Sequence, residues 1–220
     1  MAQIFGPSSN IYSKLSIVLG LLLAGGGVTL VLAFERSPYM TNEDVIYTQP
    51  IKFSHDHHTA AMGIDCRYCH YTVERSRSAN IPPTEVCMNC HSQIWADAPM
   101  LEPVRASYRN NEPIEWNRVH DLPDYVYFDH SIHVAKGVAC FTCHGDVDQM
   151  PLLKRGASLQ MAWCLDCHRD PTPNLRPPSE VTNFRWEPPA DAGEEYYAHL
   201  AAEADLADQQ RLFSCSTCHR

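Results

Sequence analysis

Five times in 220 residues the chain reads Cys-x-x-Cys-His. The cysteine pairs are Cys66/Cys69, Cys87/Cys90, Cys140/Cys143, Cys164/Cys167 and Cys215/Cys218, and the histidines that follow are His70, His91, His144, His168 and His219. No cysteine is left over. This pattern constrains the chain more than its composition does, because each pair and its histidine must serve one chemistry. The sites are numbered 1 to 5 in chain order.

Three chemistries use paired cysteines. Zinc centres join two dyads around one tetrahedral ion, so five sites do not pair up evenly, and zinc has no need of a histidine directly after the second cysteine. A redox dithiol explains the cysteines but leaves the five histidines without a role. Covalent haem c explains all three residues: the thiols form thioethers with the porphyrin, and the adjacent histidine reaches the iron as proximal ligand. The expected cofactors are therefore five haems c.

Five macrocycles on fewer than 190 residues outside the apolar segment described below leave no room for five separate polypeptide pockets. They must make up much of the core and pack near one another, replacing the apolar interior that a chain with 16 prolines and 20% charge would struggle to bury. The expected fold is mostly α and irregular, with a haem-packed core, short helices ending at the Cys-x-x-Cys-His sites and almost no sheet. A formal net charge of -9 excludes a nucleic-acid partner, which needs a basic face.

An electron carrier closes both axial faces of its iron, whereas a catalytic haem leaves one open. Seven histidines remain after the five proximal ones: His55, His57, His58, His120, His130, His133 and His199. Supply exceeds need, and no site has lysine in place of its proximal histidine. The chain also repeats itself: Phe53-Ser54-His55-Asp56-His57-His58 precedes sites 1 and 2, and Phe128-Asp129-His130-Ser131-Ile132-His133 precedes sites 3 and 4. The repeat units are about 53–91 and 128–168, with the fifth site at 215–219.

The Phe-x-His-x-x-His arrangement resembles that of the cytochrome c3/c7 family, which implies a class III-like multihaem cytochrome c. In that family the first histidine takes the haem next in sequence and the second a later neighbour. The resemblance implies His55 for site 1, His58 for site 2, His130 for site 3 and His133 for site 4. His57 is then left as a surface or propionate-bonding histidine. Site 5 needs a further ligand, for which His120, in the segment WNRVHDLPDYV, is the first choice. His199 is the second, and Met150 or Met161 is a sulfur alternative at one haem, where methionine raises the potential.

Residues 15–34, LSIVLGLLLAGGGVTLVLAF, carry no charge and are long enough to cross a bilayer core of roughly 30 Å. A signal peptide would have a shorter apolar stretch ending in a small-x-small site, and Ala33-Phe34-Glu35 makes a poor one. The expectation is an uncleaved anchor at 15–34, a cytoplasmic stretch at 1–14 that includes Lys14, and a periplasmic pentahaem domain at 35–220 on the cytoplasmic (inner) membrane. Gly20, Ala24 and Gly25-Gly26-Gly27 suit close approach of another transmembrane helix. The proline-rich stretch 170–189 is expected to be an extended strap, and the acidic stretch 191–213 a helix feeding site 5.

The anchor, the two dihaem units, WNRVHDLPDYV, the MAWCLDCHR site and the terminal CSTCHR together resemble the pentahaem cytochrome c subunit of bacterial alternative complex III. That resemblance implies an electron-relay subunit with no active site of its own. The implied partners are a quinol-binding multispan protein, an iron–sulfur protein, a monohaem cytochrome c and a soluble acceptor such as cytochrome c, a blue-copper protein or an oxidase. The alternative is a tetrahaem-type, membrane-anchored quinol dehydrogenase that binds quinol itself. Those proteins carry a methionine near the first site, where this chain has Tyr71-Thr72-Val73.

Overall fold

The computed structural model describes residues 4–206 and 209–219. Residues 1–3, 207–208 and 220, which belong to segments considered above, lie outside the described residues. Two compact units separate between Asn42 and Glu43.

The first unit is built on α1 (Ser9–Glu35), followed by the short α2 (Pro38–Thr41). The helix encloses the apolar stretch at 15–34 and extends past both ends of it. At 27 residues it is roughly 40 Å long. None of its residues is buried by the protein itself. It is long and apolar enough to cross a bilayer. A Cβ added at Gly20, Gly25, Gly26 or Gly27 would meet nothing within 4 Å.

The second unit has no strand among its described residues, only isolated bridges such as Val126 with His219 and Val138 with Leu175. Its helices are short: α3 (Cys66–Cys69), α4 (Thr84–His91), α5 (Glu102–Asn110), α6 (His130–Ala135), α7 (Cys140–His144), α8 (Met161–Arg169), α9 (Glu194–Glu203), α10 (Gln209–Leu212) and α11 (Cys215–Cys218). All five Cys-x-x-Cys pairs sit on one of them: α3, α4, α7, α8 and α11. On a helical turn, residues at i, i+3 and i+4 share a face, so each site aims two thiols and an imidazole the same way. Local capping starts these turns. The Asp65 carboxylate accepts the Arg67 amide at 2.8 Å at the head of α3, and Asp129 accepts the Ser131 amide at 2.8 Å at the head of α6.

Among the described residues, buried apolar side chains form two small clusters. Ile51, Leu101 and Val104 pack with Cys87, Met88 and Trp116 behind site 2. Leu175, Leu200 and Ala204 pack with Val138, Tyr196 and Tyr197. The second cluster docks α9 through Leu200 and Ala204, so this helix is held by its apolar side while Glu194, Glu195 and His199 remain exposed.

The stretch at 170–189 differs from a plain extended strap. Two tight helical turns, Thr172–Asn174 and Pro178–Glu180, break it, because prolines near their starts preset the helical φ angle. Between and after them Leu175, Arg176 and Val181 turn inward and are buried. The Arg176 guanidinium lies 4.5 Å from the Phe141 ring and 4.8 Å from the Trp186 ring, and it donates to the Asn183 carbonyl at 2.8 Å. Gly137 (φ 79°) lets the chain pass the Arg176 carbonyl, where a side chain would collide, and accepts the Arg176 amide at 3.0 Å.

Candidate haem-binding sites

The duplicated motif folds the same way twice. Phe53 stands edge-on to His55 (4.8 Å) and stacked on His58 (4.4 Å). Phe128 does the same with His130 (4.8 Å) and His133 (4.5 Å). One phenyl ring thus fixes two imidazoles at once, which explains why phenylalanine precedes the pair. In each copy the second histidine donates Nδ1–H to the carbonyl four residues back: His58 to Ser54 at 2.7 Å and His133 to Asp129 at 2.8 Å.

Main-chain carbonyls orient the proximal imidazoles too. His70 donates to Asn80 (2.7 Å), His91 to Ile94 (3.0 Å), His168 to Leu212 (3.0 Å) and His219 to Tyr125 (3.1 Å). His130 donates to Arg77 at 2.7 Å. A carbonyl can only accept, so in each ring Nδ1 carries the proton and Nε2 keeps a free lone pair, the tautomer a metal ligand needs. These acceptors had no signature in the sequence, since any residue type has a carbonyl oxygen.

Three imidazole pairs face each other at one separation. The ring centres are 6.2 Å apart for His58 and His91, for His130 and His144, and for His133 and His168. Two imidazoles on opposite faces of one iron have ring centres about 6 Å apart, from a metal–nitrogen bond of about 2 Å plus the distance from Nε2 to the ring centre on each side. The donor set therefore fits a six-coordinate haem at sites 2, 3 and 4. At site 1, His55 is buried near His70, and its Nδ1 has no hydrogen-bond partner. A bare ion is a poorer match, because no group of three or more His, Cys, Asp or Glu converges on one point among the described residues.

The thiols are not sheltered equally by the polypeptide. Cys90 of site 2 and Cys215 of site 5 are exposed, whereas the other eight cysteines are half-buried. The reason at Cys90 lies in how α4 docks. That helix commits Cys87 and Met88 to the Ile51 cluster, and Cys90, near its C-terminal end, takes no part in the cluster. Its sulfur stays close enough to site 1 to act electrostatically on the Cys69 thiol. Cys90 therefore keeps its place beside Cys87 and His91 on one helical face, at an edge of the unit rather than inside it.

The remaining candidates lie as follows. His120 is beside site 3, with its ring 4.3 Å from that of His144 and its Nε2 buried without a partner. Its segment is held rigidly, though by polar contacts: Asn117 bonds Gln49 and Thr48, and the buried Arg155 donates to the Val119 carbonyl at 3.0 and 3.1 Å. The ring packed on His219 is that of Tyr125, at 5.8 Å. His199 is exposed, 3.7 Å from the Glu203 carboxylate. Met150 is buried and its carbonyl accepts the His55 amide at 3.0 Å, whereas Met161 is exposed. His57 is exposed and stacks on Trp95 at 5.8 Å.

Burial sets the electrostatics. It lowers the His55 and His120 pKa to about 4, with His70 and Arg155 as the next causes, and it lowers His144 to about 3, with His120 next. All three are neutral at pH 7, as iron ligation requires. Unfolded histidines protonate near pH 6.5, so folding stability is complete above that pH and falls as acid takes it from 6.5 towards 4. Denaturant unfolding at pH 7 and pH 5 is expected to show a loss on the order of 1 kcal/mol per buried imidazole, and iron ligation adds to it with the same sign.

Gly156 packs against the third site. A Cβ there would lie 2.8 Å from the His144 carbonyl oxygen and 2.9 Å from the Gly145 Cα and N. Gly156→Ala is expected to cost about 1–3 kcal/mol in denaturant unfolding and to disturb the site-3 spectrum, because the obstacle is backbone rather than a movable side chain.

Residues 51–107 match the family model for cytochrome c7 and related cytochrome c. The chain is also 34% identical over 113 residues to the multihaem cytochrome c subunit of menaquinone reductase from Nitratidesulfovibrio vulgaris, an alignment covering 51% of this chain and 50% of that protein. The chain spans about half the length of the relative it matches. With the sites described above, these matches support a cytochrome c7-like multihaem domain with covalently bound haem c.

Proposed function

We propose that the chain is a membrane-anchored electron relay of the pentahaem kind found in alternative complex III, with five haems c and bis-histidine ligation at four or more of them. The five cysteine pairs carry the thioethers, the exposed Cys90 and Cys215 included. His55, His58, His130 and His133 are the distal ligands of sites 1 to 4, and His70, His91, His144, His168 and His219 the proximal ones. Haem iron supplies reversible one-electron transfer. The chain's own residues hold the neutral imidazoles in place through main-chain acceptors and close both axial faces against water and substrates.

The observation that carries this reading is the common 6.2 Å separation of three histidine pairs. Filled axial positions suit a carrier, which changes valence with little rearrangement, and leave no coordination position for a substrate. The complex to which it belongs exchanges electrons with the quinone pool. In one direction it takes them from a quinol-oxidising multispan subunit and an iron–sulfur subunit to a periplasmic acceptor. The relative's name favours a second direction, in which electrons enter and menaquinone is reduced. A relay conducts either way, and the potentials of its neighbours set the direction.

Gentle detergent extraction from a native membrane tests the assignment. The chain is expected to co-purify with a multispan quinone-binding protein and an iron–sulfur protein; recovery as a lone monomer would overturn it. A quinol analogue should reduce the haems in the complex but not in the isolated chain. Reduction of the isolated chain would instead favour a quinol dehydrogenase with its own quinol site.

A further inference from the structure

From the contacts between sites we infer that the five haem sites stand in space in the order 2–1–3–4–5, so that site 2 and site 5 are the ends of the row. This rests on the haem reading above and adds to it an order that differs from the order along the chain.

Sites 1 and 2 share the first histidine motif, whose single Phe53 ring touches both His55 and His58. Their helices also meet, with Asn89 of α4 donating to the Tyr68 hydroxyl of α3 at 3.1 Å. Sites 3 and 4 are joined in the same way through Phe128, His130 and His133. Sites 4 and 5 are joined by the His168 bond to the Leu212 carbonyl, on the segment leading into α11. The two exposed thiols, Cys90 and Cys215, belong to the two sites that this order places at the ends.

The junction between the two repeats settles the order. Cys66 and Cys140, the first cysteines of sites 1 and 3, are close enough to act electrostatically on each other. Around them the contacts are reciprocal. The loop after site 1 holds the distal histidine of site 3, because the Arg77 carbonyl accepts both the amide (3.2 Å) and Nδ1–H (2.7 Å) of His130. The loop after site 3 holds the distal histidine of site 1, because the Met150 carbonyl accepts the amides of His55 (3.0 Å) and Asp56 (3.2 Å). The strap at 181–182 ties the same two helices: Val181 accepts the Cys140 amide at 3.1 Å, and the Thr182 hydroxyl donates to Asp65, the cap of α3, at 3.0 Å. Mutual contacts of this kind are what two copies of one motif make when they pack front to front, as across a two-fold interface. The first sites of the repeats meet at the centre, and the second sites, 2 and 4, lie outside them.

Nuclear Overhauser spectroscopy of the reduced, full-length protein in detergent tests the order. Cross-peaks between haem substituents are expected for the pairs 1–2, 1–3, 3–4 and 4–5. In Cys140→Ala/Cys143→Ala, haem 1 should lose its contact with a third haem while keeping that with haem 2; should this variant fail to fold, the unmutated spectrum alone decides. Cross-peaks between haems 2 and 3 in place of 1 and 3 would overturn the order while leaving the relay reading intact. A protein with no haem resonances at all would overturn both.

Discussion

Cys215→Ala/Cys218→Ala is expected to lower the haem content from five to four per chain, and alkaline pyridine spectra against protein mass measure it. The thioethers are the only covalent link between porphyrin and polypeptide, so acid–acetone should leave the colour of the unmutated protein with the denatured chain. The fifth pair is the most informative to remove. Its short helix α11 contributes to neither apolar cluster, and what holds it to the body is a Tyr127 amide bond to the Cys218 carbonyl at 2.8 Å together with the His219 bond to Tyr125. Loss of that site should therefore leave sites 1 to 4 intact and cut the visible absorbance by about one fifth, whereas Cys66 and Cys140 stand where the two repeats meet. Burial pushes Cys143 up to about 12 and raises Cys69, Cys87, Cys164 and Cys167. Zinc in place of iron, or colour extracted into acetone, would sink the haem assignment.

What could be read from the sequence was what one or two helical turns contain. Cys-x-x-Cys-His needs only five consecutive residues on a helix, so all five sites were visible as local chemistry. The Phe-x-His-x-x-His motif is equally local, and its two copies are superposable in their ring contacts. The apolar helix was visible for the same reason, through composition over a contiguous run. Features that depend on the path of the chain were not visible. The spacing of Cys87 and Cys90 is that of every other pair, and only the docking of α4 on the Ile51 cluster leaves the second of them exposed. Nothing in the spacing of Arg77 or Met150 marks their carbonyls as holders of histidines in the opposite repeat. The segment that carries His120 is held from residues 48, 49 and 155, and the His120 imidazole lies beside His144, a neighbour that nothing in the sequence marks. The strap at 170–189 looked extended because its prolines forbid long helices, yet the same prolines start the two tight turns that bury Arg176 and Val181.

His133→Ala is expected to open one iron in five, and the unmutated protein supplies the contrast. With the distal faces of sites 1 to 4 closed by imidazoles, the reduced native protein should bind no more than one carbon monoxide per chain, at site 5. Removing His133 takes away the ring that faces His168 at 6.2 Å and leaves site 4 with its proximal ligand alone, still oriented by the Leu212 carbonyl. Carbon monoxide binding should then rise by about one per chain over the unmutated protein, with an added high-spin signal from about one fifth of the haem, while the thioether count stays the same. The His133 ring is half-buried and stacked on Phe128, so a nearby side chain cannot swing in to replace it without leaving its own packing. His57→Ala is the matched control. That ring is exposed and stacked on Trp95, and its loss should leave every iron low-spin. His133→Met separates ligation from shape: a thioether that reaches the iron restores the six-coordinate state and raises the potential of that haem alone. If the native protein binds carbon monoxide at two or more per chain, an axial position among sites 1 to 4 is already open and the bis-histidine relay is overturned. If His133→Ala changes neither spin state nor gas binding, the pairing of His133 with His168 is structural and the distal ligand of site 4 lies elsewhere.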